Sequence, residues 1–507
     1  MLDYLWIVIA GSVTSFVSAM GIGANDVGNA FASSIGSKAL TIKSAIVIAG
    51  IFECAGALLM GSHVTKTIRK GIADYECFED DPALLMYGCF CVLISVGAWL
   101  FIASRYEMPV STTHSCVGGM VGMTMVTGGT DCVLWYKATD SFPWIGGVSG
   151  IVLSWFLSPI FSAIISSFIF YLTRTTVLRK ENSFDKSYRT FPIFVGLTIA
   201  LNTFFIIYKG GKGIGLDDLS AGGSFVIASG AGLLTGSLII PFIPKMKASV
   251  NKKFEENNGE VINILNVRDN GIQLELKKDN NKFQKCIGNI KENLNYDIDQ
   301  IKVDGVKEIH DNSEKFDKKT EESFKYLQIF TAICDSFSHG ANDVANAIGP
   351  YAAIVSIYMN DGELNQRVDM GNYSYLILGM GGLGISLGLL LYGYKIIRAI
   401  GVKLCCITPS RGFSIELGSA TIIIIGSRLG IPLSTTHCQV GATMGVAALE
   451  DFRKCSGINW KIAWKVFFGW IITLLVVGGT TGLLVAQGIY SPSELTQCPV
   501  LMNNTNG

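Results

Sequence analysis

The chain has 507 residues, 49% of them hydrophobic and only 16% charged, with acidic and basic residues in balance. Soluble domains carry about 25% charged residues, so this composition, with a mean hydropathy of +0.42, excludes an ordinary soluble protein and points to a lipid bilayer. Zero net charge offers no footing for nucleic acid, and 13 scattered Cys without CxxC spacing give no metal centre or disulfide framework. Cys77 and Cys498 fall in polar flanks, where a bridge between them is sterically unconstrained by sequence.

In chain order, apolar stretches suited to a hydrocarbon core of about 30 Å recur at 2–22, 42–61, 84–103, 114–127, 145–172, 191–208, 222–243, 326–340, 374–394, 413–430, 436–449 and 463–489. The expected fold is an all-α polytopic membrane protein with about twelve transmembrane helices. The first run lacks a basic leader and flows into a polar motif, so it reads as a mature span and not a cleaved signal. The segments at 114–127, 326–340 and 436–449 are short, and each adjoins a duplicated motif. Such segments are expected to be broken or re-entrant helices.

Residues 244–325 hold 16 Lys/Arg and 16 Asp/Glu. They read as a polar surface insertion between an N-terminal membrane half, 1–243, and a C-terminal half, 326–507. Alternation in Val261–Leu265 and Ile272–Leu276 suggests a small β-hairpin within 246–290, and 306–325 suggests a polar helix entering the next span. Basic residues in short loops, such as Arg174, Arg179, Lys180, Lys186, Arg189, Lys395, Arg398 and Lys403, place those loops in the cytoplasm. Both termini are then outside and the 244–325 loop inside. The sequons at Asn372 and Asn503 also fall outside, consistent with a plasma membrane protein.

Two motifs occur twice. Gly23-Ala-Asn-Asp-Val-Gly-Asn-Ala30 matches Gly340-Ala-Asn-Asp-Val-Ala-Asn-Ala347 at an offset of 317. Pro109-Val-Ser-Thr-Thr-His114 matches Pro432-Leu-Ser-Thr-Thr-His437 at an offset of 323, and Ile102–Arg105 extends the match to Ile425–Arg428. An odd number of crossings separates the copies, so they enter the membrane from opposite sides as inverted-topology repeats. That symmetry suits an alternating-access carrier and argues against an open channel. Gly28 faces Ala345 in the alignment, a difference from which no consequence is expected.

The residue chemistry points to ions. Asp26 and Asp343 at membrane depth are costly unless they function. Asn25, Asn29, Asn342 and Asn346 add amide donors and carbonyl acceptors, and oxygens of this kind suit a dehydrated Na⁺. Pro starts a helix well; the hydroxyls of Ser111, Thr112, Thr113, Ser434, Thr435 and Thr436 then crowd a helix N-terminus, where free N–H groups favour an anion. His114 and His437 are expected to hold the re-entrant segments through backbone carbonyls, with a proton relay as the alternative. Glu53 and Glu416 lie in apolar spans and are not repeat equivalents. They read as cation-coordinating or charge-compensating groups, or as partners of Arg105, Arg411 or Arg428. Five scattered His offer no ligand spacing, so an enzyme is not expected.

These paired motifs, with Glu53 in its Gly-flanked span and Gly412-Phe-Ser-Ile-Glu416, resemble the PiT family of inorganic phosphate transporters over nearly the whole chain. The resemblance implies a secondary active symporter importing inorganic phosphate with sodium ions, and no other cofactor. It implies phosphate contacts from Asn29, Asn346, Ser111, Thr112, Thr113, Ser434, Thr435 and Thr436. Cation binding and coupling would fall to Asn25, Asp26, Asn342, Asp343, Glu53 and Glu416, with sodium at Asp26, Asp343, Asn25 and Asn342. A homodimer is implied by the resemblance alone. A proton-coupled phosphate symporter or a sulfate transporter of the same fold is the alternative, and the motifs do not distinguish rocking from elevator motion.

Overall fold

The computed structural model describes residues 4–491 except 140–143, 209–218, 265–312, 363, 365–372, 402 and 451–456. Helix α1, Leu5–Ile22, passes into a π-helical turn at Gly23–Val27 and a short turn at Gly28–Ala30; it breaks at Phe31 before α2, Ala32–Gly36. There follow α3 (Ile42–Lys70), α4 (Pro82–Arg105), α5 (Thr112–Thr127), α6 (Gly147–Thr173), α7 (Ser183–Ile207), α8 (Ala221–Ile239) and α9 (Ile243–Ile264). The second half holds α10 (Lys318–Met359), α11 (Tyr373–Tyr392), α12 (Tyr394–Gly401), α13 (Pro409–Arg428), α14 (Thr435–Ala448) and α15 (Trp460–Tyr490). A two-residue ladder, Lys137–Ala138 with Ile145–Gly146, is the strand pairing named among the described residues.

Among the described residues, eight helices are long and apolar enough to cross a membrane. The short arms α5 and α14, with 16 and 14 residues, rise only about 24 and 21 Å. Each closes a hairpin with the helix before it: α4 with α5, and α13 with α14. Side chains such as Leu233, Leu376, Leu475 and Leu483 are more than 70% exposed, an arrangement suited to lipid and costly in water.

The hairpins enter from opposite faces. The tip of the first lies beside the chain leading into the second, where Lys403 pairs with Glu107 at 2.9 Å. The tip of the second lies near the far end of α3, where Thr67 donates to the Gly430 carbonyl at 2.6 Å. Close crossings repeat the symmetry. A Cβ on Gly23 would meet the Ile385 carbonyl, and a Cβ on Gly340 would meet that of Glu53, both well inside contact distance. The expected inverted repeats are therefore present, with α1 and α10 as counterparts.

Several expectations change. The span at 326–340 is not short or broken: α10 runs unbroken for 42 residues through the second motif. Its polar start, capped by Asp317 accepting from the Thr320 amide, and its buried polar residues hide its length from an apolar count. Only the first motif copy is unwound. Gly28 has a consequence after all, because a Cβ there would lie 2.9 Å from the Gly393 carbonyl oxygen. The 246–264 part of the expected β-hairpin is helical, and its remainder lies outside the described residues, as does most of the polar loop. Cys77 bonds to Cys132 and not to Cys498. That bond ties the α3–α4 loop to the end of α5, so both belong to one face.

Candidate functional site

Each hairpin tip is pinned by the Asn of the facing motif. Asn25 donates to the Ser104 hydroxyl at 3.1 Å and the Met108 carbonyl at 3.0 Å, and accepts from the Val110 amide at 2.9 Å. Asn342 repeats the pattern, donating to the Ser427 hydroxyl at 3.1 Å and the Ile431 carbonyl at 3.4 Å. Asn25 thus serves as a brace, its Oδ1 already accepting one hydrogen bond from Val110. Asn342 keeps an unpartnered, buried Oδ1.

The pinned segments end in two helix N-termini that meet. Ser111 caps α5 by accepting from the His114 amide, and Ser434 caps α14 by accepting from that of His437. The Ser434 hydroxyl donates to that of Ser111 at 2.8 Å. Cap hydrogen bonds satisfy one of the orphan donors of a first turn. Thr113 donates to the Leu433 carbonyl at 2.8 Å, stitching one tip to the other.

The two Asp residues grip both tips. Asp26 accepts from the Thr112 hydroxyl at 2.6 Å and amide at 3.2 Å, and from the Thr436 hydroxyl of the other hairpin at 2.7 Å. Asp343 accepts from the Thr435 hydroxyl and, at 3.0 Å, from the Asn346 amide. The Asn346 amide also reaches Thr112 and Thr113 at 3.1 and 3.3 Å. All these groups are buried. The amide oxygens of Asn29, Asn342 and Asn346 are buried without a hydrogen-bond partner in this structure. A buried polar oxygen left unmatched is costly; that of Asn346 belongs to a side chain bonded to Asp343, and carboxylate and amide oxygens are the ligand type a hard cation takes.

One member of the site was missed by sequence reasoning. His339 Nε2 lies 2.8 Å from Asp343 Oδ2 and its Nδ1 lies 2.8 Å from Glu53 Oε2. Ligand atoms of Asp26, His339 and Asp343 lie within 4.8 Å of one another, so the His are not all scattered. The signal was legible: His339 and Asp343 are four apart on a helix and share a face. Asp335, also buried and one further turn back, accepts from Ser419 at 3.0 Å.

The outlying glutamates find hydroxyl, amide and imidazole partners. Glu53 meets His339 and the Ser336 hydroxyl. Glu416 accepts from Ser33, Ser34, Thr331 and Gln328 at 2.7, 2.5, 2.8 and 3.1 Å. Arg411 bonds instead to Glu450 at the base of the second hairpin. Glu314 joins that base through Arg179 at 2.8 Å, a hydrogen bond that holds its carboxyl below the usual range. His437 Nδ1 lies 2.9 Å from the Trp155 carbonyl, as expected of a residue bracing the segment. His114 instead stacks on the Trp155 ring, with centroids 3.6 Å apart.

The polar groups break the repeat symmetry. By the 317 offset Asp335 and His339 correspond to Ser18 and Ile22; by the 323 offset Glu416 corresponds to Leu93. The Gly23 and Gly340 crossings place Glu53 opposite Ile385. Four polar residues thus flank the site on one side, where small and apolar residues flank it on the other.

Comparison with known proteins agrees with this geometry. The model of the phosphate transporter family matches residues 22–481. The phosphate-repressible phosphate permease of Neurospora crassa is 30% identical, covering 97% of this chain and 98% of its own. The sodium-dependent phosphate transporter of Plasmodium falciparum is 28% identical, covering 97% and 98%, and sodium-dependent phosphate transporter 1 of Mus musculus is 27% identical, covering 96% and 95%. A solved structure titled the sodium-dependent phosphate transporter aligns with a TM-score of 0.71 at 30% identity, over 94% of this chain and 98% of that one. The chain belongs to the phosphate transporter family.

Proposed function

We propose that this protein is a secondary active symporter that carries inorganic phosphate inward with sodium ions. The observation that carries the reading is the double grip of Asp26, whose carboxylate takes hydroxyls from both hairpins, Thr112 and Thr436. In this structure these hydroxyls are spent on carboxylates. A cation held by Asp26, Asp343 and the open amide oxygens of Asn29, Asn342 and Asn346 takes over the carboxylates. The hydroxyls of Thr112, Thr435 and Thr436 then turn toward an anion at the meeting helix N-termini, where the dipoles already favour one.

Electrostatics sets the order. An unneutralised carboxylate repels each phosphate charge by about 4 kcal/mol at 4 Å in an effective dielectric of 20. Sodium therefore precedes phosphate, and the loaded site approaches neutrality before its access changes. Glu53 and His339 buttress Asp343 from behind, and Glu416 serves as a further polar station on the same side. The names of the relatives support sodium over protons as the coupling ion and phosphate over sulfate as the substrate.

The Cys77–Cys132 bond supports the orientation. The start of α1 packs beside α4, with Trp6 against Phe90 and Asn25 against Ser104, so the N-terminus shares the disulfide's face. Disulfides persist in oxidising compartments, which favours termini outside, the 244–325 loop inside, and residence in the plasma membrane. A homodimer stays a proposal that size measurement in mild detergent tests. The direct test of function is sodium-driven phosphate uptake by Asp26→Asn and Asp343→Asn in proteoliposomes. Both variants are expected to fold and to lose uptake by at least about a hundredfold, the scale of roughly 3 kcal/mol for a buried charged contact; normal uptake in both defeats the assignment.

A further inference from the structure

The two hairpin tips are built on one plan with one difference. Each turns through a residue in the left-handed region: Gly430 at φ +68° in the second hairpin and Glu107 at φ +54° in the first. They are equivalent by the 323 offset. Glycine adopts that conformation without penalty, whereas a residue with a Cβ does not. A backbone held there against its preference is a sign that the side chain has a task.

The Glu107 carboxylate lies 2.9 Å from Lys403 Nζ, with 31% and 16% of the two side chains exposed. Lys395 Nζ reaches the Arg105 carbonyl at 3.5 Å. The tip is thereby tied to the segment around α12, which itself packs on α2: a Cβ on Gly36 would lie 2.3 Å from the Gly401 carbonyl. At the equivalent turn of the other tip, the Gly430 carbonyl accepts a neutral hydrogen bond from Thr67. Glu107 also adjoins Met108, whose carbonyl is held by Asn25, and Val110, whose amide donates to Asn25. Movement of Glu107 is thus transmitted within one residue to the brace beside Asp26.

We propose that the Glu107–Lys403 ion pair is a latch that keeps the first hairpin's tip closed over the site and must part when the site opens on that face. The second hairpin has glycine at the same place, so Glu107 has no charged counterpart at position 430. The proposal rests on the transport reading for its consequence, but the latch itself is read without transport.

The test is amide hydrogen exchange of the peptide spanning 106–113 in the full-length protein. In Lys403→Met the sequence of that peptide is unchanged, and exchange is expected to rise roughly three- to tenfold, the range of a partly buried ion pair. The charge swap E107K/K403E is expected to return it toward the native rate. Should Lys403→Met fold poorly, Glu107→Gly reads the same segment, since glycine suits the turn. Unchanged exchange in both single variants, or a rise that the swap fails to reverse, overturns the latch. Phosphate uptake measured in parallel separates the two claims: altered exchange in a protein that moves no phosphate leaves the latch standing and sinks the transport reading.

Discussion

Thr436 is the residue on which the two halves of the site most directly depend, because its hydroxyl crosses from the second hairpin to Asp26. Thr436→Val keeps the shape and removes the donor. Uptake is expected to fall roughly tenfold or more, since an unmatched buried hydrogen-bonding group costs about 1–3 kcal/mol. Thr436→Ser should retain most activity; equal loss in both variants would show that the methyl group, not the hydroxyl, matters. At this scale much of the site was legible. The paired Asn, Asp, Ser and Thr were named from two short repeats, and the structure brings them together at one junction. Three features depended on orientation, which a sequence does not carry. Asn25 spends its amide on the hairpin tip, Glu416 finds hydroxyls and an amide in place of an arginine, and His339 faces Asp343. The last depends on α10 running unbroken through 339–343, which sets the two residues on one face and which the apolar count does not indicate.

Helix crossings carry the next level. Gly340 lets α10 touch the backbone of α3 at Glu53. Gly340→Ala is expected to destabilise the protein by about 1–3 kcal/mol through overpacking, seen as a lowered thermal midpoint in detergent; an unchanged midpoint would mean that the helices separate freely. At the base of the second hairpin, Glu314 pairs with Arg179, which depresses its carboxyl from the usual 4.5. A depressed acid contributes stability above that value and loses it as pH falls through its folded pKa. Glu314→Gln should therefore shrink the stability difference between pH 7 and pH 3.5, measured by melting; an undiminished difference would contradict the pairing. Apolar patterning found most helices but misjudged α10, since its entry is charged and its middle polar. Such a helix survives in a membrane protein because neighbouring helices bury those polar groups, a tertiary fact beyond the reach of a hydropathy window.

For the molecule as a whole, inversion of the repeats was readable from the odd number of crossings between motif copies. The structure supplies what that count lacks: two hairpins entering from opposite faces and meeting at Ser111 and Ser434. The symmetry is incomplete, with Glu53, Asp335, His339 and Glu416 on one side facing Ile385, Ser18, Ile22 and Leu93. A pathway polar on one side and apolar on the other is expected to give unequal access rates in the two directions. The disulfide closes a loop of 55 residues, which in the chain-entropy model is worth about 4 kcal/mol. Cys132→Ser should lower the thermal midpoint while leaving sodium-driven uptake measurable at low temperature. Loss of uptake at full thermal stability would instead place the bond in the transport cycle.

The central claim is that cation and phosphate share one site between the hairpin tips. Radiolabelled phosphate uptake into proteoliposomes, under an imposed sodium gradient, an imposed proton gradient or neither, tests it most directly. The expected result is concentrative uptake with the sodium gradient and none with the others. Uptake driven by protons alone would keep the substrate and reassign the carboxylates as proton carriers, and no uptake by folded protein under any gradient would contradict the account.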